Sequence, residues 1–332
     1  MNRRLFLPMV SLLLPDSAVS LSNSATKSMS TKASNLFAKQ QASGKWSAMN
    51  IQTAEELTIS VRQKLQDEGV IGVDRPVRII GEPIERPDQL LKKKDSKNGA
   101  NTKSTTTKIL HFQRHGQGFH NTICALWREL TGIPVDLENT DPAQNPLLRL
   151  DVMDSPLTEL GRQQCLKCRD DASLLNPELV IVSPLLRAIQ SAELSWSAHR
   201  HNNNNNKVPW VAHEQCREDL GLLICNQRRT IAEIQKMYPD IDFSLCVDNE
   251  DTLFMPDRLE TPLETTQRAY EFLVDHVRTL PQTEIAIVGH SSWLFGMCNA
   301  VMDIPDESLR TWFLTSEIRS MQVTFEDDQS SS

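Results

Sequence analysis

The sequence predicts an α/β fold, a three-layer α/β/α sandwich around a mostly parallel sheet, and three observations predict it. Compact runs of Val, Ile and Leu, such as ELVIVSP at 178–184 and EIAIVGH at 284–290, read as strands buried on both faces. Amphipathic stretches with helical spacing separate these runs. Three of the runs end in polar residues suited to one another, at the strand ends where such sheets gather their ligands.

The elements follow in order. TAEELTISVRQKLQDEG at 53–69 reads as a helix, with Thr53 and Glu56 spaced as a capping box and Gly69 as its stop. RPVRIIGEPIERP at 75–87 is an extended segment punctuated by proline. Residues 92–108 are polar and low in complexity, as is the asparagine run at 202–206, and both read as loops. KILHFQRHG at 108–116 is a short strand. TELGRQQCLKCRDDASLL at 158–175 is a helix capped by Thr158. The run 178–184 leads into a helix, with Ser183 as cap, Pro184 at the first position and Arg187 in the first turn. Then come a strand-like run at 208–218, helices at 230–240 and 263–280, the strand 284–290, a helix at 292–302 and a final strand at 316–325.

Composition narrows the function classes. The 332 residues carry 35 basic and 43 acidic side chains, net −8, so bulk charge does not point to nucleic acid. No apolar run reaches the roughly 18 residues of a membrane span. The seven cysteines are odd in number and scattered, which reads as free thiols rather than a disulfide framework. At the N-terminus, Arg3 and Arg4 precede an apolar run and then small residues, and 21–52 are rich in Ser, Thr, Ala and Lys without an acid. This reads as a signal peptide followed by a transit-like segment, for delivery to an organelle such as a plastid or for secretion, with a cytoplasmic protein as the alternative.

The polar strand ends carry the chemistry. They are Arg114-His115-Gly116, then Ser183-Pro184 with Arg187 in the next helix, and Gly289-His290. Two arginines and two histidines beside helix N-termini suit a dianion, and phosphate is the natural candidate. No metal-ligand cluster is evident, so cationic side chains would neutralise the charge of phosphoryl transfer, and no cofactor is implied. A neutral imidazole is a competent nucleophile, and a carboxylic acid from 218–219 could protonate the leaving alkoxide. His111 and His115 share the i, i+4 spacing of a zinc motif, but they lie on a strand and Phe112 stands where the general base would be. A serine hydrolase elbow at Ser291 fails because Trp293 replaces its last glycine and no histidine follows the serine. His111 is expected to be scaffold, His120 stays open, and His199, His201, His213 and His276 are expected at the surface or on caps.

With these residues in view, RHGQGFHN at 114–121 resembles the opening motif of the histidine phosphatase superfamily, the phosphoglycerate mutase-like proteins, branch 1 type. DSPLTELGRQQ at 154–164, SPLLRAIQSAE at 183–193 with Ser191 in place of Thr, and IVGHSSW at 287–293 are similar to its later motifs, in order. The resemblance implies that His115 is the phosphorylated nucleophile, that Arg114, Arg187 and Asn121 contact phosphate, and that His290 completes the pocket. It implies Glu218 as the acid, with Asp219 and Glu214 as alternatives, because Gly221 is three rather than four residues beyond Glu218. Gln117 stands where mutases often have Glu, and the mutase E-R-H-Y-G loop is absent, so phosphatase activity on a small phosphorylated substrate is expected over mutase activity or mere phospho-ligand binding. The chain is thus read as a targeting segment at 1–52, an N-terminal extension at 53–107, a catalytic domain at 108–325 and a disordered tail at 326–332. Segments 129–145 and 215–254 are the expected pocket walls.

Overall fold

The computed structural model describes residues 51–84, 105–200 and 207–327. The targeting segment lies outside them except for its last two residues, as do most of the polar linker, the asparagine run and the last five residues.

Among the described residues seven strands form one sheet: β1 Val77–Pro83, β2 Thr105–Arg114, β3 Leu179–Val182, β4 Trp210–His213, β5 Asp242–Leu245, β6 Glu284–Gly289 and β7 Ile318–Asp327. Their order across the sheet is β1-β7-β2-β6-β3-β4-β5. From β2 to β5 every pairing is parallel, and β7 runs antiparallel to both β1 and β2. The expected parallel core is therefore present, with an antiparallel edge.

Alternation along the strands builds two cores. Leu179 and Ile181 of β3, with Ile285 and Ile287 of β6, pack on one face against Tyr270, Phe272, Trp293 and Leu294. Val180, Val182, Ala286 and Val288 point to the other face, against Ala188, Ile189, Ala192, Trp196 and Ile234. The principal helices are α1 Ile51–Asp67, α2 Phe119–Thr131, α3 Glu159–Lys167, α4 Leu186–Ser195, α5 Ile231–Met237, α6 Pro262–Glu271 and α7 Ser291–Gly296. Their starts follow local chemistry, since Thr158, Thr230 and Thr261 each accept a backbone N–H in the first turn.

Three expectations about boundaries change. The extension is not separate from the catalytic domain: β1 joins the sheet, and α1 buries Ala54 and Leu65 against Phe295 and Trp312. The threonines read as the end of the linker open β2, which starts at Thr105. The last strand continues through Asp327, two residues into the segment read as tail. His111 is scaffold, buried between Ser320 at 2.7 Å and Glu284 at 3.0 Å. His213 is buried against Phe272 and His276, although its Nδ1 also caps a short turn by accepting the Gln215 N–H.

Candidate active site

Register places the site. In the parallel pair of β2 and β6, Arg114 lies beside Gly289, and in the pair of β3 and β6, Val182 lies beside Val288. The residues just past these strands, His115, Ser183 and His290, therefore emerge at one level. The His115 N–H donates to the Gly289 carbonyl at 3.0 Å and the Ser183 N–H to that of Val288 at 3.0 Å. The rings of His115 and His290 stand 5.0 Å apart between centroids.

Each ring is held at one nitrogen. His115 Nδ1 is 2.6 Å from the Gly116 carbonyl oxygen. A carbonyl only accepts, so Nδ1 carries the proton and Nε2 keeps its lone pair. His290 Nε2 is 2.7 Å from Ser183 Oγ. The opposite nitrogens, His115 Nε2 and His290 Nδ1, are buried and have no hydrogen-bond partner among the described residues.

Two buried arginines flank the rings. Arg114 donates through Nη1 to the Phe313 carbonyl at 2.7 Å. Arg187 donates to the Cys225 carbonyl at 2.7 Å and to Asn226 Oδ1 at 2.8 Å, and its Nε has no partner among the described residues. Burial lowers the Arg114 pKa to about 10, opposed by the Glu218 charge, and Arg114 remains cationic at neutral pH. Burial, and then the charges of Arg187 and Arg114, hold the His115 pKa well below its ordinary value. His290 shifts the same way, through burial and then Arg187. Neutral imidazoles and two guanidinium groups thus form an electropositive cluster at the strand ends. Among the described residues no group of three or more His, Cys, Asp or Glu side chains is placed to hold a metal ion.

Of the three candidate acids, Glu218 is the one bonded to the start of α7, the helix that follows His290. Its carboxylate accepts from Ser291 Oγ at 3.2 Å and from the backbone N–H groups of Ser292 and Trp293, at 3.1 and 3.2 Å, at the start of α7 beside His290. Asp219 instead accepts from Thr265 Oγ1 at 3.1 Å, and burial together with the Glu218 charge pushes its pKa up to about 7. Glu214 is paired with Arg217 at 3.0 Å and Arg228 at 2.6 Å. Asn121 turns its side-chain oxygen to the Gly118 N–H at 2.9 Å, closing the loop at the start of α2.

The motif at 154–164 holds this loop. Thr158 Oγ1 donates to Gln117 Oε1 at 2.8 Å, Gln164 Oε1 accepts the Gln117 N–H at 2.9 Å, and Ser191 Oγ accepts the Gly116 N–H at 2.9 Å. A Cβ at Gly161 would lie 2.1 Å from the Gln117 carbonyl oxygen, so only glycine lets α3 approach so closely. The expected cap of α4 also changes. Asp154 Oδ1 takes the Leu186 N–H at 2.8 Å, while Ser183 Oγ lies 2.7 Å from His290 Nε2 and also accepts the Leu185 N–H at 3.4 Å. Asn226 as the partner of Arg187 was not evident from the sequence, because nothing in local pattern ties it to a residue 39 positions away.

The model of the histidine phosphatase superfamily, branch 1, matches residues 149–331. The chain belongs to that superfamily. A phosphoglycerate mutase-like protein of Arabidopsis thaliana is 32% identical over 245 residues, covering 65% of this chain and 84% of the relative. Phosphoglycerate mutase-like protein 1 of the same plant is also 32% identical over 245 residues, at 65% and 81% coverage. Among solved structures, a mycobacterial glucosyl-3-phosphoglycerate phosphatase overlaps 65% of this chain and 90% of its own, at 18% identity and a TM-score of 0.39. This histidine phosphatase superfamily member thus carries two buried histidines just past its strand ends, with two buried arginines acting on them electrostatically.

Proposed function

We propose that this protein is a metal-independent phosphomonoesterase that works through a phosphohistidine on His115. The observation that carries the reading is the His115 ring itself. Its Nδ1–H is fixed on Gly116, its Nε2 is unprotonated and without a partner among the described residues, and the His290 ring stands 5.0 Å away between centroids.

A phosphate monoester dianion matches the two guanidinium charges. His115 Nε2 attacks phosphorus, the bond from phosphorus to the ester oxygen breaks, and a protonated Glu218 gives its proton to the departing alkoxide. Water then attacks the phosphohistidine, the Glu218 carboxylate takes the water proton, and the P–N bond breaks to restore the imidazole. Asn121 stands at the loop edge as a further phosphate contact through its amide. Gln117 favours hydrolysis over mutase transfer, since its amide, which accepts from Thr158 Oγ1, cannot serve as an acid where mutases often have Glu.

Mixing the enzyme with aryl phosphate and a panel of small phosphomonoesters tests the reading. Acid-labile phosphate on wild-type protein, none on His115→Ala, and turnover that survives EDTA are expected. Full activity in His115→Ala overturns the mechanism. Transfer of phosphate between positions of one substrate, without release, favours the mutase alternative.

A further inference from the structure

We propose that His120 is a third imidazole of the phosphate site, hydrogen-bonding through Nδ1 to an oxygen of the phosphoryl group. This rests on the phosphate-binding reading of the site above. His120 is the second residue of α2, and its ring turns back toward the strand ends, 5.4 Å between centroids from His115. Its Nδ1 is buried and has no hydrogen-bond partner among the described residues, the condition also of His115 Nε2, His290 Nδ1 and Arg187 Nε. A buried imidazole nitrogen without a partner is costly, and a bound acceptor would satisfy it.

Gly118 gives an independent reason. Its backbone, at φ −92° and ψ 163°, is an extended conformation open to any residue, so no turn requires glycine here. Space does. A Cβ at Gly118 would lie 2.6 Å from both Cε1 and Nδ1 of His120, and 3.5 Å from Cδ of Arg187. The missing side chain is thus what admits the His120 ring beside the arginine.

The charges fit a hydrogen-bonding role. Burial, and then Arg187, His115 and Arg114, hold the His120 pKa well below its ordinary value, so the ring enters as a neutral donor. Arg114 and Arg187 already match a dianion in charge. A neutral N–H adds direction to that match, and it can reach an oxygen that the two guanidinium groups leave bare.

Orthovanadate and inorganic phosphate binding, measured by calorimetry, test this without turnover. His120→Leu, which fills the volume but lacks a donor, should weaken vanadate binding about 10- to 100-fold, the worth of one hydrogen bond to a charged group. His120→Asn, whose amide reaches the place of Nδ1, should recover most of that loss, and His120→Gln should not. Gly118→Ala, which leaves the imidazole in the chain but takes its space, should resemble His120→Leu. Vanadate affinity in folded His120→Leu within twofold of wild type overturns the proposal, as does equal weakening in the Asn and Gln variants. If His120→Leu does not fold, the Asn and Gln pair decides alone. Absence of phosphoenzyme in the wild type would strike the catalytic reading, and the calorimetry would still decide the contact.

Discussion

Ser183 shows how a single side chain fixes the chemistry next to it. Its hydroxyl is the hydrogen-bond partner of His290 Nε2, and both residues are fully buried. Ser183→Ala leaves that nitrogen unsatisfied, so stability should fall by about 1–3 kcal/mol in urea melts, and kcat should fall as the ring loses its orientation. Thr in place of Ser should restore most of both. For the acid, Glu218→Gln keeps an acceptor at the start of α7 but cannot give up a proton. It should lower kcat about 100-fold or more while inorganic phosphate still binds, and an unchanged rate would move the role to Asp219. The pH profile has a sign fixed by the site: burial and the two arginines keep His115 neutral well below its ordinary value. The acid limb of kcat/KM due to the free enzyme should therefore lie well below pH 6.5, the usual histidine value. An enzyme limb at 6.5, distinguished from the substrate's own titration by changing the ester, would contradict this. His115, His290, Arg114 and Arg187 were legible as a group because each ends a strand or opens a helix in a run of strong local signals. Glu218 was less so, because its loop carries three neighbouring acids and sequence spacing does not say which one faces the histidines.

At the scale of elements, the contact between α3 and the loop after β2 is the most exposed to test. Gly161 has no positive φ to explain it, and a Cβ there would strike the Gln117 backbone. Gly161→Ala should displace the segment carrying His115 and Asn121. We expect activity toward aryl phosphate to drop about tenfold or more, together with a lower Tm, because a backbone clash cannot be relieved by a rotamer change. The strands and helices themselves were largely legible, since buried β3 and β6 are unbroken apolar runs and the Thr caps of α3 and α5 mark their starts. The start of α4 was misjudged for a physical reason. Ser183 has the chemistry of a cap and accepts the Leu185 N–H at 3.4 Å, but the next N–H, that of Leu186, goes to the carboxylate of Asp154, held at φ +46° and fully buried, from 32 residues away. Local propensity cannot see a competitor brought in by folding.

At the scale of the whole molecule, the first described helix is part of the fold rather than an appendage. Leu65 is 4% exposed, in a cluster with Phe295 and Trp312. Leu65→Ala should cost about 2–5 kcal/mol in a urea melt, whereas a detached extension would show no change. Buried histidines also set how stability varies with pH. Burial, and then the nearby His276, lower the His213 pKa to about 3, while the unfolded chain titrates near its ordinary 6.5. Between those values the unfolded state binds the proton that the folded state refuses, so this histidine's contribution is present above pH 6.5 and is lost as pH falls toward 3. His213→Gln should flatten that part of the fall, as read from urea melts at pH 5 and pH 7.

The amino-acid sequence by itself determined the α/β class, the parallel core, the four motifs and the residues that cluster at the strand ends. These rest on periodicity, capping and short-range chemistry, which act within a few residues along the chain. Only the tertiary structure decided that β7 runs antiparallel between β1 and β2, that Glu218 rather than Glu214 or Asp219 accepts the N–H groups opening α7 just past His290, and that the His120 ring and Arg187 both border the place of a Cβ at Gly118. Each of these depends on parts of the chain far apart in sequence meeting at a fixed register, and their hydrogen bonds and steric limits do not exist until they do.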